Sequence, residues 1–441
     1  MSDSYSDFLQ SRHGGVDATS VLTVYICLLL AIPSAMVVGP LGSAGAPSTI
    51  MAIGILFWWV WTHIQRNTST NADFQPVRAA MLGWLIVMLA VYAHAMSSPI
   101  PFDEISPADS GMLKLLGMAG ILLVANDGIP GLKRNRALLG RLVIAAGIIA
   151  IFGLIQYATK QIFVDRIQIP GLTAGPAGWG LVVRNGFVRP SGTSTHPIEY
   201  GVVLTMILPL AITYALKSPT KRWLYRALLC AITFAVFLSI SRSAILCAAA
   251  GIIVLAIAWS NATRVRAIAF TLVIGAVIYL TVPGMLGALT GLFTGSAEDP
   301  SIASRTGSYN LASQFISTNP LLGRGFGTFL PKYWILDNGY LGILIEGGIL
   351  GFSGLVTLIV TAGFAAKRAR RMAVSEFERD IAQALIASIA AGACGLAFFD
   401  TFGFPQSAGC FFLLLGLAGA SRRLAIADGT HRPPRPRVGA Q

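Results

Sequence analysis

The chain has 441 residues, 54% of them hydrophobic and only 12% charged, with a formal net charge of +13 at neutral pH. Soluble domains carry about 25% charged residues, so this composition excludes an ordinary water-soluble enzyme of this size. The excess of 32 Lys and Arg over 19 Asp and Glu points to nucleic acid only if the positive-inside bias of membrane proteins does not account for it.

A bilayer span takes about 20 mostly apolar residues. Read at that length, the chain predicts twelve spans, near 20–38, 47–65, 78–96, 110–127, 138–157, 198–216, 223–240, 243–259, 266–286, 338–366, 383–401 and 405–421. The fold class expected is therefore an all-α polytopic membrane protein. The first apolar stretch reads as a span rather than a cleavable signal. The tenth is long enough to tilt or to extend beyond the bilayer. Cys27, Cys230, Cys247, Cys394 and Cys410 all fall in apolar segments and read as small buried hydrophobes.

The basic residues test this alternation. With the N-terminus inside, the loops that must be cytoplasmic hold Arg66 and Arg78, Lys133 to Arg141, Lys217 to Arg226, Arg264 and Arg266, and Lys367 to Arg379. The C-terminal stretch adds Arg422, Arg423, Arg432, Arg435 and Arg437. Most of the positive charge thus falls on one side, both termini are expected in the cytoplasm, and the case for nucleic acid disappears. Residues 1–423 read as a single transmembrane domain and 424–441, basic and Pro-rich, as a disordered cytoplasmic tail.

Two loops on the other side, 158–197 and 287–337, are too long to be simple connectors. In the second, Tyr309, Leu311, Ala312, Phe315 and Ile316 form an apolar stripe at helical spacing, with Ser304–Arg305 as its expected start. It reads as an interfacial helix, as one wall of an outer cavity, or as both.

These outer loops hold charges that the bias should have removed. Arg189, Arg242, Arg305 and Arg324 lie close to helix ends. Guanidinium groups bind phosphate oxygens bidentately, so several converging on one cavity would hold an anionic headgroup; a snorkelling role for Arg242 is the alternative. His196 and Glu199 stand where the first loop enters a span. His196 suits acid–base work, a structural hydrogen bond or idle exposure, and Glu199 either chemistry or the helix dipole. Residues 319–329, Asn-Pro-Leu-Leu-Gly-Arg-Gly-Phe-Gly-Thr-Phe, have the freedom for close backbone approach to a ligand but no nucleotide-loop ending. Asp337 and Asn338 then lead into the tenth span, where Glu346 is either paired with an arginine or functional. Gly348 and Gly351 read as a close-packing face, and Asp400 is a weaker candidate of the same kind.

Gly192-Thr193 with His196-Pro197, Ser241-Arg242 in a short turn, Arg305 followed by Asn319-Pro-Leu-Leu-Gly-Arg-Gly-Phe-Gly, and Asn338-x-Tyr-Leu with Glu346-Gly and Gly348-x-x-Gly351 share an order and spacing. Over roughly residues 185–355 the chain resembles the O-antigen ligase and polysaccharide polymerase superfamily of bacterial envelopes. The resemblance implies a multi-span, lipid-sugar-dependent glycosyltransferase in the bacterial inner membrane, with its site facing the periplasm or exterior. It implies inverting, metal-independent transfer, with no cofactor, from a polyprenyl-diphosphate-linked glycan donor to a glycan or lipid acceptor. Membrane lipids, a flippase and a chain-length regulator are the further partners it implies. Arg189, Arg242, Arg305 and Arg324 then become diphosphate ligands, and Asp337, His196 and Glu346 candidate catalytic groups. The family's ligases carry His-Asn where this chain has Asp337-Asn338; that departure favours a polymerase over a ligase. A secondary transporter shares the span count, but the short 217–222 connection and the long outer loops argue against it. A non-catalytic scaffold would have no need to gather charge in one cavity.

Overall fold

The computed structural model describes residues 17–65, 74–175, 180, 182–184, 186–294 and 300–430. Every expected span falls on a helix. In chain order these are α1 (Ala18–Ala31), α2 (Pro47–Gln65), α3 (Pro76–Ser97), α4 (Phe102–Gly128), α5 (Leu132–Thr159), α6 (Pro197–Lys217), α7 (Arg222–Leu238), α8 (Arg242–Ala256) and α9 (Asn261–Thr281). The second long loop carries two more, α10 (Met285–Thr294) and α11 (Pro300–Thr318), before α12 (Gly339–Met372), α13 (Glu376–Leu396) and α14 (Pro405–Thr430). Eight described helices are long and apolar enough to cross a membrane: α2, α3, α4, α5, α6, α9, α12 and α14. Helices α1 and α8 are apolar but shorter, and α13 opens on Glu376 and Glu378. The chain is an all-α polytopic membrane protein.

Several boundaries differ from expectation for local reasons. Helix α1 stops at Ala31, not near 38, because Pro33 forces the residue before it into the extended region. The segment beyond forms strand β1 (Met36–Val37), antiparallel to β2 (Thr173–Ala174). Helix α11 already includes Ser304–Arg305, its expected start, and is described from Pro300 onward. Helix α14 runs on to Thr430, past the expected start of a disordered tail at 424. Arg423 holds it there by donating to the carbonyls of Asn126 and Ile129, and Leu424 and Ala425 are buried. Residues 431–441 of that tail lie outside the described residues. Of the cysteines, Cys247 and Cys410 are buried, whereas Cys27 is exposed on the flank of α1.

Burial sorts the helices into centre and rim. In α6 89% of the span is buried, in α4 72% and in α14 78%, against 11% in α9 and 17% in α2. A helix that is apolar all round but barely buried within the protein faces lipid. The expected cytoplasmic loops gather at one end. There Arg136 pairs with Glu378, Lys217 lies 3.7 and 3.6 Å from Glu376 and Asp380, and Arg78 lies 3.3 Å from Asp127. Segments 33–46, 189–196, 319–338 and 398–405 gather at the other end, as the alternation requires.

Helix α12 is the long tenth span, and it is broken rather than merely tilted. Gly348 lies at φ 62°, ψ −166°, so the hydrogen-bond ladder is interrupted on both sides. The 319–328 loop takes up the freed groups. Arg324 and Gly325 N–H donate to the carbonyls of Ile345 and Glu346, while Ile349 and Leu350 N–H donate to those of Pro320 and Leu321. Non-helical backbone at membrane depth is tolerated only when such partners exist.

Candidate functional site

The end of the first long loop, residues 192–197, is held by a series of hydrogen bonds. Gln156, near the end of an apolar helix, accepts from Gly192 N–H at 2.8 Å and donates to its carbonyl at 2.9 Å. Gly192 lies at φ 60°, and a side chain there would meet the Tyr200 ring. Thr193 donates to the Leu30 carbonyl, and Ser34 N–H to the Thr193 carbonyl. Gln406 at the start of α14 accepts from Ser194 and donates to Thr193. Pro197 at the first position then opens α6.

His196 is the N-cap of that helix. Its Nδ1 accepts the Ile198 N–H at 3.1 Å, which requires the neutral ring. Burial, and secondarily the Arg189 charge, lower its pKa to about 4, in keeping with that form. Glu199, in the first turn, is fully buried and fully used. Its Oε2 accepts from Thr195 N–H at 3.0 Å and Ser34 Oγ at 3.3 Å, and its Oε1 from Gln406 N–H at 2.9 Å. It joins the starts of α6 and α14 and has no oxygen left for substrate.

The arginines divide. Strand β3 (Val182–Arg184) pairs with β4 (Phe187–Arg189), delivering Arg189 to the turn between α7 and α8. Its Nε donates to the Ser239 carbonyl at 2.7 Å. Its Nη2 is buried and has no hydrogen-bond partner among the described residues. Burial, with Arg184 nearby, lowers its pKa to about 10, so it stays cationic at neutral pH. In the same turn Ile240 is held at φ 45°, a strained setting for a β-branched residue. Backbone strain of this kind clusters at functional sites. The next two residues, Ser241 as N-cap and Arg242 as first helical residue, begin α8, and Arg242 is only 8% exposed. Arg189 thus reaches the turn that leads into Arg242. The Arg305 side chain lies outside the described residues.

Arg324 does not join them. It forks onto Glu104, with 2.8 and 2.6 Å to the two oxygens, and stacks on the Phe315 and Tyr333 rings. The glycines around it likewise serve structure rather than a ligand. A side chain at Gly323 would strike the Glu346 backbone, and one at Gly327 the Pro107 carbonyl. On α12, Gly347 and Gly351 pack against Met88 and form the close-packing face, whereas Gly348 is the break itself.

Asp337, Asn338 and Glu346 come together. They line a cavity of about 410 Å³ bounded also by Lys114, Thr195, Phe404 and Asp400. Asn338 caps α12, its Oδ1 accepting the Leu341 N–H at 3.1 Å. Glu346 is partly exposed to the cavity, and its Oε1 accepts the Phe329 N–H at 3.1 Å. Among the described residues it is paired with no arginine, Arg324 being committed to Glu104. Burial raises the Asp400 pKa against the pull of Lys114, and the Asp337 charge raises it further. Three carboxylates and one lysine therefore share one space. Lys114, Gln156, Gln406 and Glu104 were not among the expected site residues, although each is a polar residue in or beside an apolar run, a signal the sequence carries.

His196 lies between the two groups. Its ring centroid is 6.5 Å from that of Phe404, which lines the cavity, and Arg189 is close enough to shift its titration. One end of the bundle thus offers a guanidinium pair, a neutral imidazole and a carboxylate-lined cavity. Such a set can neutralise an anionic leaving group and take a proton from a hydroxyl.

Residues 227–356, from within α7 to just beyond the break in α12, match the family model described as O-antigen ligase. The stretch takes in Arg242, Arg305, Arg324, Asp337, Asn338 and Glu346, and leaves out Arg189, His196 and Glu199. Among curated proteins, no match to the chain is found.

Proposed function

We propose that this chain, a member of the O-antigen ligase and polymerase superfamily, is a polysaccharide polymerase that joins glycan units carried on polyprenyl diphosphate. The observation that carries the reading is the grouping at one end of the bundle. Asp337, Asn338 and Glu346 line one cavity, and Arg189, beside the His196 loop, reaches the turn from which α8 starts at Arg242. Superfamily membership supports glycan transfer over small-solute transport.

In the step we propose, an acceptor hydroxyl in the cavity attacks the anomeric carbon of the donor glycan from the face opposite the phosphate. The new C–O bond forms as the bond to the diphosphate breaks, so configuration inverts. The hydroxyl proton passes to Asp337, and the electron pair leaves with the polyprenyl diphosphate. Negative charge grows on that leaving group, and Arg189 and Arg242 stabilise it more in the transition state than before it. Glu346 orients the acceptor from the cavity wall. His196, neutral and capping α6, positions the loop between the two halves. Arg305 is assigned to the diphosphate by its place in the family's motif.

The gathering of basic loops at the opposite end supports an orientation with the site facing the periplasm or exterior of the bacterial inner membrane. Asp337, where the family's ligases have histidine, is what favours a polymerase. Deleting the gene and analysing lipid-linked intermediates tests this. Single repeat units left on the carrier are the expected result; finished chains left there would make the protein a ligase. Arg242→Ala and Arg305→Ala are each expected to abolish polymer while the protein still inserts. Wild-type polymer in both would remove the diphosphate-binding role.

A further inference from the structure

A second cavity, of about 600 Å³, opens at the basic end, far along the bundle from the Asp337 site. It lies where the ends of α6, α8 and α12 meet the starts of α9 and α13. Helix α9 leaves the bundle here, which is why it is so little buried and why a space remains beneath its first turn.

The lining is cationic. Lys217, Arg266, Arg370 and Arg379 stand against Glu376 and Asp380. Lys217 sits between both carboxylates, at 3.7 and 3.6 Å, and balances part of their charge. The guanidiniums remain in excess. Arg370 presents a buried Nε with no hydrogen-bond partner among the described residues. A buried donor left without a partner is costly, and a ligand would supply the acceptor. The start of α9, capped by Ser260, adds its free N–H groups on the same side. Beside the polar Thr213, Thr263 and Gln383, the rest of the wall, Leu216, Leu255, Ala258 and Trp259, is apolar with an indole, the mix found at the headgroup level of a bilayer.

We propose that this cavity binds a phosphate-bearing anion, the headgroup of an anionic phospholipid whose acyl chains lie along the Leu216–Leu255 wall. Basic pockets between membrane helices select such headgroups by charge and by bidentate guanidinium contacts. The occupied site fixes α9 against α13 and so braces the loosest span of the bundle. None of its residues belongs to the glycan-transfer site, so either assignment stands or falls without the other.

The test uses the full-length protein in an uncharged detergent. Short-chain phosphatidylglycerol, short-chain phosphatidylcholine and inorganic phosphate are titrated separately, with binding read by native mass spectrometry and by thermal shift. Phosphatidylglycerol is expected to bind saturably and phosphatidylcholine not to. Arg266→Gln with Arg370→Gln should weaken phosphatidylglycerol binding by about tenfold or more, as expected for lost charge-assisted hydrogen bonds. Arg264→Gln, on the exposed side of α9 and outside the lining, should leave it unchanged. If burial makes the Arg370 variant unstable, Arg266→Gln with Arg379→Gln, both exposed residues, carries the comparison. Phosphate binding as tight as phosphatidylglycerol, with the same mutational pattern, supports the anion site and assigns it to a free phosphate. Equal binding of the two lipids, or binding untouched by the arginine variants, overturns the proposal.

Discussion

Two glutamates lie inside the bundle at the same end, in opposite circumstances. Glu199 is sealed, its two oxygens receiving Thr195 N–H, Ser34 Oγ and Gln406 N–H. Glu346 receives only the backbone N–H groups of Phe329 and Gly327 among the described residues and borders the 410 Å³ cavity with the other groups there. Both are carboxylates at or within a membrane helix; the sequence favours Glu346 for chemistry and leaves Glu199 between chemistry and the helix dipole. What separates them is unspent hydrogen-bonding capacity: a carboxylate whose lone pairs are consumed by backbone is a fastener, and one with capacity facing a cavity is available for chemistry.

The largest expected effect sharpens that contrast on the cavity side. Asp337→Asn should lower glycan transfer by about 10²–10⁴-fold, the range for loss of a general base, with no loss of folded protein. Glu346→Gln should fall in the same direction by a smaller factor, and full activity in both would dissolve the distinction. Glu199→Ala should act on stability instead, leaving two buried N–H donors unmet at a cost of about 2–4 kcal/mol. It is read as a lower Tm in detergent, with residual activity per folded molecule intact. Gly348→Ala is expected to cost about 1–3 kcal/mol, because a side chain must adopt positive φ and meets the Leu321 carbonyl. A stable, active Gly348→Ala protein would show that the break is dispensable. Arg324→Ala and Glu104→Ala should each destabilise, and their double mutant should show coupling of about 1–3 kcal/mol, as a structural pair does.

The smallest effect is a pH dependence. The His196 pKa falls from its ordinary value to about 4 through burial and Arg189. A group depressed in the folded state contributes stability above its unfolded pKa of about 6.5. That contribution declines as pH falls toward 4. Between pH 7 and 8 thermal stability should therefore not respond to His196, and His196→Asn, which keeps a capping oxygen, should flatten the acid side. An acid-side decline that His196→Asn leaves unchanged would mean that the ring is not held neutral by the fold.

The span pattern was legible because a bilayer leaves long apolar runs as its direct imprint, and each run became a helix. The site was legible in part. Asp337, Asn338 and Glu346 share a cavity, as residues close together at one helix start can. Arg189 reaches the turn before Arg242 through the Ser239 carbonyl, a backbone contact that no side-chain pattern announces. Arg324 was misread because its partner, Glu104, is remote in the chain and brought near only by packing of α4. The Gly323–Gly327 run was misread for a different reason. Glycine allows close approach but does not say what approaches, and here it is another stretch of backbone.

The break at Gly348 has a consequence for biogenesis. The groups that seal it, Pro320, Leu321, Arg324 and Gly325, immediately precede the helix they repair. Closure needs only a short excursion of chain, with little loop entropy to overcome. The interrupted helix can therefore satisfy its backbone while still leaving the translocon, before α13 and α14 have been made.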